Sequence, residues 1–505
     1  MSDSRIKSIV IVGGGSAGWM SASALAKVIG CDNYSIKLVE SSEIGTVSVG
    51  EATIPQIQLF NTILDIDESE FIRSTNATFK LGIEFIDWKE KGHRYFHPFG
   101  NYGTNMEALP FHHFWLKMQD DPKFKKTSNL SNYSLASVGA YANKFMHPST
   151  QQNTPLAGIN YAYHFDATLY AKFLSKYAIN KGVKRIEGQV DEVKTNPVTG
   201  MIESLVLNDN TVLSGDLFID CSGFKGLLIE QALKTGYEDW THLLPCNKAV
   251  AAPCLSTKAL NPYTQSTAQS VGWTWRIPLQ NRVGNGFVYS SEFMDDDKAQ
   301  SLLLNTLESS PLNDINSLQW VTGMRKKSWN KNCIAIGLSA GFVEPLESTG
   351  LHLIQSAIAK LMTLFPSKAF TQCDIDLFNQ QTETEYHRIR DFIILHYKLT
   401  NRDDSKFWRY CKNLEMPDSL KQKIDMFSEN GRIFRHDNEL FNETSWLSVM
   451  HGQGIKPKSY HPLVDRLSPD EIKRRLENIE SVISRTADVM PDHQAYILNK
   501  YTHNA

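Results

Sequence analysis

The segment SIVIVGGGSAGWM, residues 8–20, constrains the fold of this 505-residue chain more than any other stretch. A short β-branched run leads into glycines and then into a helix of small residues. In such a turn Gly13 allows the tight bend, Gly15 lets a pyrophosphate approach the backbone, and Gly18 lets helix pack on strand. Ser16 and Ala17 begin the helix, where free amides bind phosphate. The segment therefore predicts a dinucleotide site.

A second strand, YSIKLVES, follows this helix and ends at Glu40. Glu40 lies 22 residues after Gly18 (40 − 18 = 22), the distance at which an acid binds a ribose hydroxyl. Strand, helix and strand together form a βαβ unit of the Rossmann type. We therefore predict an α/β fold with a parallel sheet that begins at residues 9–12.

The chain has one G-x-G-x-x-G fingerprint, whereas a flavoprotein that reduces itself with bound NAD(P)H often carries two. The later segment DLFIDCSGFKG favours FAD as the dinucleotide, because it is a buried β-run that ends in small residues at Cys221, Ser222 and Gly223. An ordinary strand and turn is the alternative for this segment. We predict FAD as the dinucleotide and only weak affinity for NADH.

Composition excludes several other classes. The net charge is −3, and no Lys/Arg block indicates nucleic-acid binding. No uninterrupted apolar run is long enough to cross a membrane, and the first residues lack the layout of a signal peptide. The seven cysteines contain no CxxC pair, so neither a zinc site nor a disulfide framework is indicated. We expect a cytoplasmic protein without a bound metal, as a monomer or a homodimer.

The pattern along the chain predicts two modules. Strands dominate from about 185 to 345, so the FAD-binding module is expected to be interleaved with a second sheet and to span residues 1–365. Residues from about 92 to 158 are rich in Gly, His, Asn and aromatics, and they predict inserted substrate loops. Helical patterns prevail beyond them, which predicts a mostly helical, substrate-covering module over 366–505.

The segment FVEPLESTGLHLIQ, residues 342–355, places two carboxylates and two hydroxyls before a helix. A capped turn explains this composition on its own. A hydroxyl would cap the helix, and the macrodipole would favour Glu344 and Glu347 at its start. Whether the turn does more depends on the rest of the chain.

Four segments together carry a family resemblance: GGGSAGWM, VGEATIP (49–55), GWTWRIP (272–278) and EPLESTG (344–350). In their order and approximate spacing they resemble the flavin-dependent halogenases of the tryptophan halogenase family, over nearly the whole chain. GWTWRIP is the most specific of the four, although by itself it is typical of an aromatic strand.

The resemblance implies an enzyme that binds reduced FAD supplied by a separate flavin reductase, and that uses O2 and a halide ion to form hypohalous acid. The acid then reaches a second site, where it halogenates an electron-rich aromatic ring. Lys80 and Glu347 would be the catalytic side chains there. Amides of Thr349 and Gly350 would hold the halide beside the flavin, as helix-start amides can hold anions.

Further residues carry over from the same resemblance. Those expected at the flavin, besides the glycine turn and Glu40, are Glu51, Ala52, Leu338 and Leu351. Those expected around the substrate ring are His97, Phe99 and Trp446. For these three the alternatives are a His-Pro turn packed on the core and a core tryptophan.

Lys80 lies in ATFKLGIEFIDW, which predicts one continuous strand. Lys80, Gly82 and Glu84 would share one face of it, with apolar side chains on the other. The small Gly82 would leave room for a channel beside Lys80. The alternative is a solvated lysine paired with Glu84, since most lysines are exposed.

The C-terminal part departs from the halogenases that act on free tryptophan. Those carry a Tyr-Tyr pair and a Glu, whereas the corresponding region here is FSENGRIFRHDNELFNETSWLSVMHGQGIKPKSYHP, without the pair. The expected substrate is therefore indole or another arene, and the choice among chloride, bromide and iodide stays open. The competing functions are a flavin-dependent aromatic hydroxylase and a non-catalytic flavin-binding protein.

Overall fold

The computed structural model describes residues 4–43, 51–151, 154–436 and 439–502. The chain divides into two compact units, each built from three separate segments. Unit one comprises Met1–Ala77, Phe165–Asn247 and Gln319–His387. Unit two comprises Thr78–His164, Lys248–Leu318 and Arg388–Ala505. The boundary expected near residue 365 falls inside the last segment of unit one.

The strands are numbered in chain order. They are β1 (Ser8–Val12), β2 (Ser35–Glu40), β3 (Glu51–Ala52), β4 (Thr78–Lys80), β5 (Gly82–Ile86), β6 (Arg94–Pro98), β7 (Ala162–Phe165), β8 (Lys184–Glu187), β9 (Val190–Thr195), β10 (Ile202–Leu207), β11 (Val212–Ser214), β12 (Leu217–Asp220), β13 (Tyr237–Asp239), β14 (Lys248–Ala251), β15 (Thr264–Ala268), β16 (Trp273–Pro278), β17 (Val283–Tyr289), β18 (Asn316–Gln319), β19 (Gly323–Arg325), β20 (Trp329–Asn330), β21 (Cys333–Ala335) and β22 (Gly341–Phe342).

The α-helices follow the same convention. They are α1 (Ser16–Val28), α2 (Gln56–Ile63), α3 (Glu68–Thr75), α4 (Phe111–Met118), α5 (Pro122–Thr127), α6 (Leu135–Tyr141), α7 (Ala167–Asn180), α8 (Asp296–Thr306), α9 (Gly350–Thr363), α10 (Gln372–Lys398), α11 (Lys406–Asn413), α12 (Asp418–Asn430), α13 (Glu443–Gly452), α14 (Pro469–Val489) and α15 (His493–Ile497).

Unit one is built on a six-stranded sheet in the order β20-β21-β12-β1-β2-β8. Strand β1 pairs in parallel with both β2 and β12, so the predicted βαβ unit and its parallel sheet are confirmed. Ile9 and Ile11 are fully buried, and their neighbours Val10 and Val12 pack with Leu205 of the β9–β11 sheet. Burial on both faces explains the continuous apolar run of β1.

Unit two contains an antiparallel-rich sheet in the order β14-β17-β16-β15-β5-β6, with β18 along the edge of β14. Strand β16 carries the GWTWRIP segment and pairs with β15 and β17. Gly286 on β17 lies opposite Trp275, and a Cβ there would lie 2.1 Å from the indole ring. The glycine on β17 therefore lets this tryptophan lie flat on the sheet.

The segment around Lys80 is not one continuous strand, and that expectation is wrong. It breaks at Leu81, whose amide donates to Pro262 O (2.7 Å) and whose carbonyl accepts from the Phe99 amide (2.7 Å). Before the break β4 pairs with β7, and after it β5 pairs with β15 and β6. The chain thus changes sheets one residue after Lys80.

The C-terminal third is largely helical, as its pattern predicts, from α10 to α15. Residues 92–158 hold β6 and the short helices α4, α5 and α6 between loops, in keeping with the loops and short elements expected there. Within the described ranges, none of these helices is long and apolar enough to cross a bilayer.

Candidate functional site

The glycine turn of unit one has the shape that a dinucleotide requires. Gly13 has a φ of +113°, and a Cβ there would lie 2.2 Å from Cys221 O. A Cβ on Gly18 would lie 1.8 Å from Gly13 O. Only glycine fits either place, since real Cβ contacts are never this short. Gly15 is the N-cap of α1, so the amides at Ser16 and Ala17 begin a helix that can bind pyrophosphate.

Glu40 ends β2 against this turn. A Cβ on Gly14 would lie 1.5 Å from its Oε2, so the carboxylate lies directly beside the glycines. It accepts hydrogen bonds from Trp19 Nε1 (3.2 Å) and Arg185 Nε (2.5 Å). Both partners fix its orientation, and lone pairs remain for a ribose hydroxyl.

Asp220, which sequence reasoning did not single out, organises the second strand end of unit one. Its buried carboxylate accepts from Ser222 N (2.9 Å) and Oγ (2.6 Å), and from the amides of Leu228 and Ile229 (both 2.8 Å). These bonds hold the Cys221–Gly223 turn that the sequence did predict. An acid at the end of a buried β-run is the pattern that could have revealed it. Burial, and then the Asp220 charge, raise the pKa of the Cys221 thiol, which keeps it protonated.

A third turn, Gly337–Ser339, packs against the start of α1, directly after the glycine turn. Gly337 has a φ of +79°, and a Cβ on it would lie 2.8 Å from the Ala17 Cβ and 3.5 Å from Ile354 Cγ1. Leu338 therefore lies close to both the start of α1 and helix α9. Leu351 precedes Ile354 by one turn on the same face of α9. The structure thus brings together the residues that the sequence assigned to the flavin in this part of the chain.

The EPLESTG turn connects a short 3-10 turn, Pro345–Glu347, to α9. Glu344 and Glu347 are completely buried, and Ser348 takes the left-handed conformation with φ of +61°. Thr349 is the N-cap of α9, but its side chain makes no capping bond, so the expected hydroxyl cap is wrong. Its buried Oγ1 has no hydrogen-bond partner among the described residues. A left-handed non-glycine residue and an orphaned hydroxyl are features of functional turns.

Gly350 begins α9 and is exposed, and a Cβ placed on it would meet nothing within 4 Å. Open space at the start of a 14-residue helix suits a small anion, because the amides of its first turn have no partners within the helix. The geometry of Thr349 and Gly350 therefore fits the halide site that the resemblance implies.

Lys80 lies in unit two and is completely buried, so the alternative of a solvated lysine is wrong. Glu84 is also buried and is bonded to Gln265 Nε2 (2.9 Å) and Arg94 (3.4 Å). The expected channel at Gly82 is wrong as well. A Cβ there would lie 2.3 Å from His97 O and 2.5 Å from the Phe96 ring, which fill the space.

A connected aromatic cluster begins at Lys80. Its Nζ lies 5.1 Å from the centroid of the Phe99 ring, a cation–π distance. Phe99 contacts His97, with ring centroids 6.3 Å apart. His97 lies 5.9 Å from Phe392, and Phe392 lies 4.9 Å from Trp446. The three residues expected at the substrate are thus linked with Lys80 in one cluster, through a phenylalanine that sequence reasoning missed.

Two more members of this cluster come from the C-terminal segment. Phe441 stacks on Phe392 at 3.7 Å and lies 6.4 Å from His97. Lys423 Nζ lies 4.8 Å from the Trp446 ring, donates to Phe434 O (2.8 Å) and pairs with Glu439 (3.1 Å). Burial lowers the pKa of Lys423. No local sequence pattern marks these residues, because α10, α12 and the segment before α13 meet only in the fold.

The donors of unit one fit FAD: glycines that a side chain would clash with, an acid beside them, and leucines grouped at the third turn. Glu51 and Ala52 form β3, and Ala52 is buried, whereas the side chain of Glu51 and residues 44–50 lie outside the described part of the chain. In the ranges that the structure describes, no group of three His, Cys, Asp or Glu side chains is arranged to hold a metal ion.

This fold and these turns define an FAD-binding oxidoreductase whose second unit encloses a buried lysine and an aromatic cluster. The family model for tryptophan halogenase matches residues 8–469. Tryptophan 6-halogenase SttH of Streptomyces toxytricini is 33% identical, over 97% of either chain. Tryptophan 7-halogenase RebH of Lentzea aerocolonigenes is also 33% identical, over 96% of this chain and 95% of its own.

Solved structures of flavin-dependent halogenases share the fold of this chain. A flavin-dependent halogenase from Xanthomonas campestris superposes with a TM-score of 0.94 at 44% identity, covering 98% of each chain. BrvH, a flavin-dependent halogenase from Brevundimonas sp. BAL3, gives a TM-score of 0.94 at 41% identity, over 98% of this chain and 99% of its own. The chain belongs to the tryptophan halogenase family. It is an FADH2-dependent halogenase that uses O2 and halide and works with a separate flavin reductase.

Proposed function

We propose that this halogenase delivers hypohalous acid through Lys80 to an electron-rich arene such as indole, which is bound among His97, Phe99 and Trp446. When bound, reduced FAD would supply two electrons and two protons, with which O2, halide and one further proton give hypohalous acid and water. The protein must then direct a diffusible oxidant. One bond of the arene to hydrogen is replaced by a bond to halogen, and the hypohalous oxygen leaves as water.

The buried position of Lys80 is the observation that carries this proposal. Removing an ammonium group from water is costly, so a completely buried lysine is rare. The side chain points its Nζ over the Phe99 ring at one end of the aromatic cluster. A lysine amine can hydrogen-bond and polarise hypohalous acid there, whereas an arginine would stay protonated at any accessible pH.

We assign Glu347 the role of general base, which takes the ring proton as the arene regains aromaticity. Its complete burial and its place at the end of the 3-10 turn that leads into α9 support a catalytic carboxylate. Thr349 and Gly350 are proposed to hold the halide through the amides at the start of α9. Glu40, the glycine turn, Ala52, Leu338 and Leu351 are proposed to bind FAD, as is Glu51.

The test follows halogenated arene and flavin reoxidation in the same reaction, with a flavin reductase, NADH and FAD present. Lys80→Ala is expected to abolish halogenated product while O2 still oxidises the flavin. Glu347→Gln is expected to slow product formation roughly 100-fold, the scale of losing a positioned base. Lys144→Ala, which removes a lysine whose Nζ donates to the α14 carbonyls of Ala487 and Asp488, is the matched control.

Each halide is supplied in turn, and mass spectrometry names the halogen from its isotope pattern. Halide-independent addition of oxygen to the arene would instead identify an aromatic hydroxylase, and no mass shift with any halide would identify a non-catalytic flavin protein. Halogenation by Lys80→Ala at wild-type efficiency would overturn the role of this lysine.

We further propose that indole or a larger arene is a better substrate than free tryptophan. The region expected to hold an amino-acid group contains Phe434, Phe441 and the pair Lys423–Glu439, whose charges are already matched to each other. Neither Lys423 nor Glu439 is then fully available to bind the carboxylate or the ammonium group of free tryptophan. Matched assays should give a lower KM for indole than for tryptophan, and the reverse order would contradict this proposal.

We also propose that FADH2 arrives by diffusion from the reductase, that the protein is cytoplasmic, and that it is a monomer or homodimer. The single dinucleotide fingerprint supports the first point. Mixed with NADH alone, the purified protein should reduce FAD far more slowly than it turns over. A reduction rate that matches turnover would remove the need for a separate reductase.

A further inference from the structure

His164 lies beside Lys80 and has no role in the proposed chemistry. Strands β4 and β7 pair antiparallel, with Thr78 opposite His164 and Lys80 opposite Ala162. Because side chains alternate along a strand, Thr78, Lys80, Ala162 and His164 share one face. Ala162 lies directly across from Lys80, and His164 is the diagonal neighbour of Lys80. Both Lys80 and His164 are completely buried.

Hydrogen bonds occupy both nitrogens of the His164 ring. Nδ1 lies 3.1 Å from Thr78 Oγ1, and Nε2 lies 2.9 Å from Thr264 Oγ1. The Thr78 hydroxyl donates to Pro278 O at 2.7 Å, so its proton is already used. The ring must therefore donate from Nδ1 to Thr78, and its Nε2 accepts from Thr264. This assignment is the neutral imidazole with every polar atom satisfied.

The environment keeps the ring neutral. Burial, followed by the nearby positive charge of Lys80, lowers the pKa of His164 far below its usual value. The Arg276 guanidinium also lies close enough to oppose a positive charge on the ring. A protonated ring would place two cations close together on a buried face, which is strongly unfavourable.

The same bonds tie the strand of Lys80 to three other strands. Thr264 lies on β15, His164 on β7, and Pro278 closes the GWTWRIP segment on β16. Strand β4 is only three residues long, and the chain changes sheets directly after Lys80. A strand this short makes few backbone hydrogen bonds to its neighbours. The hydrogen-bonded relay Thr264–His164–Thr78–Pro278 therefore helps to fix the orientation of β4.

We propose that His164 is a positioning residue for Lys80: through Thr78 and Thr264 it fixes the direction in which the lysine leaves β4, and as a neutral group it adds no charge there. This inference rests on the proposed role of Lys80 in halogen delivery. Its consequence is that loss of the relay misdirects the oxidant without slowing its formation in unit one.

The experiment compares His164→Phe, which keeps a flat ring but makes no hydrogen bonds, with His164→Gln, whose amide can both donate and accept. Three quantities are measured at pH 7.5 with indole and bromide: the rate of flavin reoxidation, brominated indole per flavin oxidised, and bromine captured by a scavenger added to the solution. KM for indole is determined for each variant.

In His164→Phe we expect unchanged flavin reoxidation and KM, a loss of brominated indole of roughly tenfold or more, and a matching gain in scavenged bromine. His164→Gln should restore most of the yield. His112→Gln is the matched control, since that histidine is also buried and bonded but lies on α4. The His112→Gln variant should divide bromine between indole and the scavenger in the same ratio as the wild type.

If His164→Phe does not fold, Thr264→Val removes only the donor to Nε2 and should shift bromine toward the scavenger in the same direction. A wild-type partition in folded His164→Phe or in Thr264→Val overturns the positioning role, and so does a loss that His164→Gln fails to restore. Absence of brominated indole from the wild-type enzyme would instead refute the proposed function.

Discussion

Gly350 at the start of α9 is a position where a substitution should change activity without lowering stability. A Cβ at this position would contact no protein atom within 4 Å, and its φ is not in the left-handed region. Gly350→Ala should therefore fold normally and keep or slightly raise the Tm, because alanine suits a helix better by up to about 1 kcal/mol. The added methyl group would occupy the space proposed for halide and flavin. We expect at least a tenfold loss of halogenated product, with an increased KM for halide.

Thermal unfolding and halide titration of the same preparation check this prediction. Gly158→Ala is its control, since a Cβ there also meets nothing and lies in the short 3-10 turn Pro155–Gly158 of unit two. Full activity of Gly350→Ala at wild-type halide KM would show that the space serves neither ligand.

Residues with a local pattern were predictable, and those without one were not. The glycines at 13, 15 and 18 are fixed by steric limits within one turn, so spacing alone identifies them. Lys80 was assigned from a family resemblance, because by itself its segment favours an exposed lysine. Phe392 lies in an apolar helical stretch that any core would contain. Its contact with Trp446 joins residues 54 positions apart (446 − 392 = 54), which no periodicity reveals.

At the scale of elements, β4 depends on the C-terminal segment around α15. The Phe79 amide donates to His493 Nε2 (3.1 Å), while His493 Nδ1 donates to Leu260 O (2.8 Å). Phe79 also stacks on Phe145 at 3.9 Å, and the Phe145 amide donates to Pro491 O (3.1 Å). The face of β4 opposite Lys80 is thus closed by residues from the far end of the chain.

His493→Ala should leave the buried Phe79 amide and Leu260 carbonyl without partners, at a cost of about 2–4 kcal/mol in the free energy of unfolding. Halogenated product should fall because β4 loosens, whereas FAD binding, which belongs to unit one, should persist. Denaturant unfolding measures the free energy, a flavin fluorescence titration measures FAD affinity, and mass spectrometry measures halogenated product. His493→Gln should recover part of the lost stability and part of the lost product. Equal losses of FAD affinity and product would contradict this division of roles.

The sequence predicts whether a segment is a strand or a helix better than it predicts whether a strand is interrupted. The βαβ unit was predicted to within a residue at each strand, because burial on both faces gives β1 an unmistakable apolar run. The strand through Lys80 was predicted as one piece but is two, since Pro262 and Phe99 provide bonds to Leu81 from distant segments. Such breaks depend on long-range partners and leave no trace in local alternation.

At the scale of the whole molecule, unit two contains a set of histidines that are wholly or largely buried. Burial lowers the pKa of His112, His451 and His493 to about 4, and that of His113 to about 3. In the unfolded chain they titrate near 6.5. Their stabilising effect is therefore complete above pH 6.5 and is lost progressively as the pH falls toward about 4, because the unfolded state binds more protons there.

We expect the Tm to be flat from pH 8 to 6.5 and to drop steeply between pH 6.5 and 5. Each histidine contributes up to about 1.4 kcal/mol per pH unit in that range. His112→Gln cannot titrate and can still donate to Gly431 O, so its Tm should fall less between pH 6.5 and 5 than that of the wild type. Parallel Tm curves for the two proteins would show that His112 does not contribute.

The alternation of the chain between the units has a consequence for how such an enzyme is synthesised and diversified. The polypeptide passes from one unit to the other five times, at residues 77, 164, 247, 318 and 387. Unit one lacks β21 until residue 335 has left the ribosome, and unit two lacks α15 until residue 497 has been made. No single recombination crossover can exchange either unit intact. New substrate preferences on this scaffold must therefore arise by point substitution and short insertions, rather than by shuffling of modules.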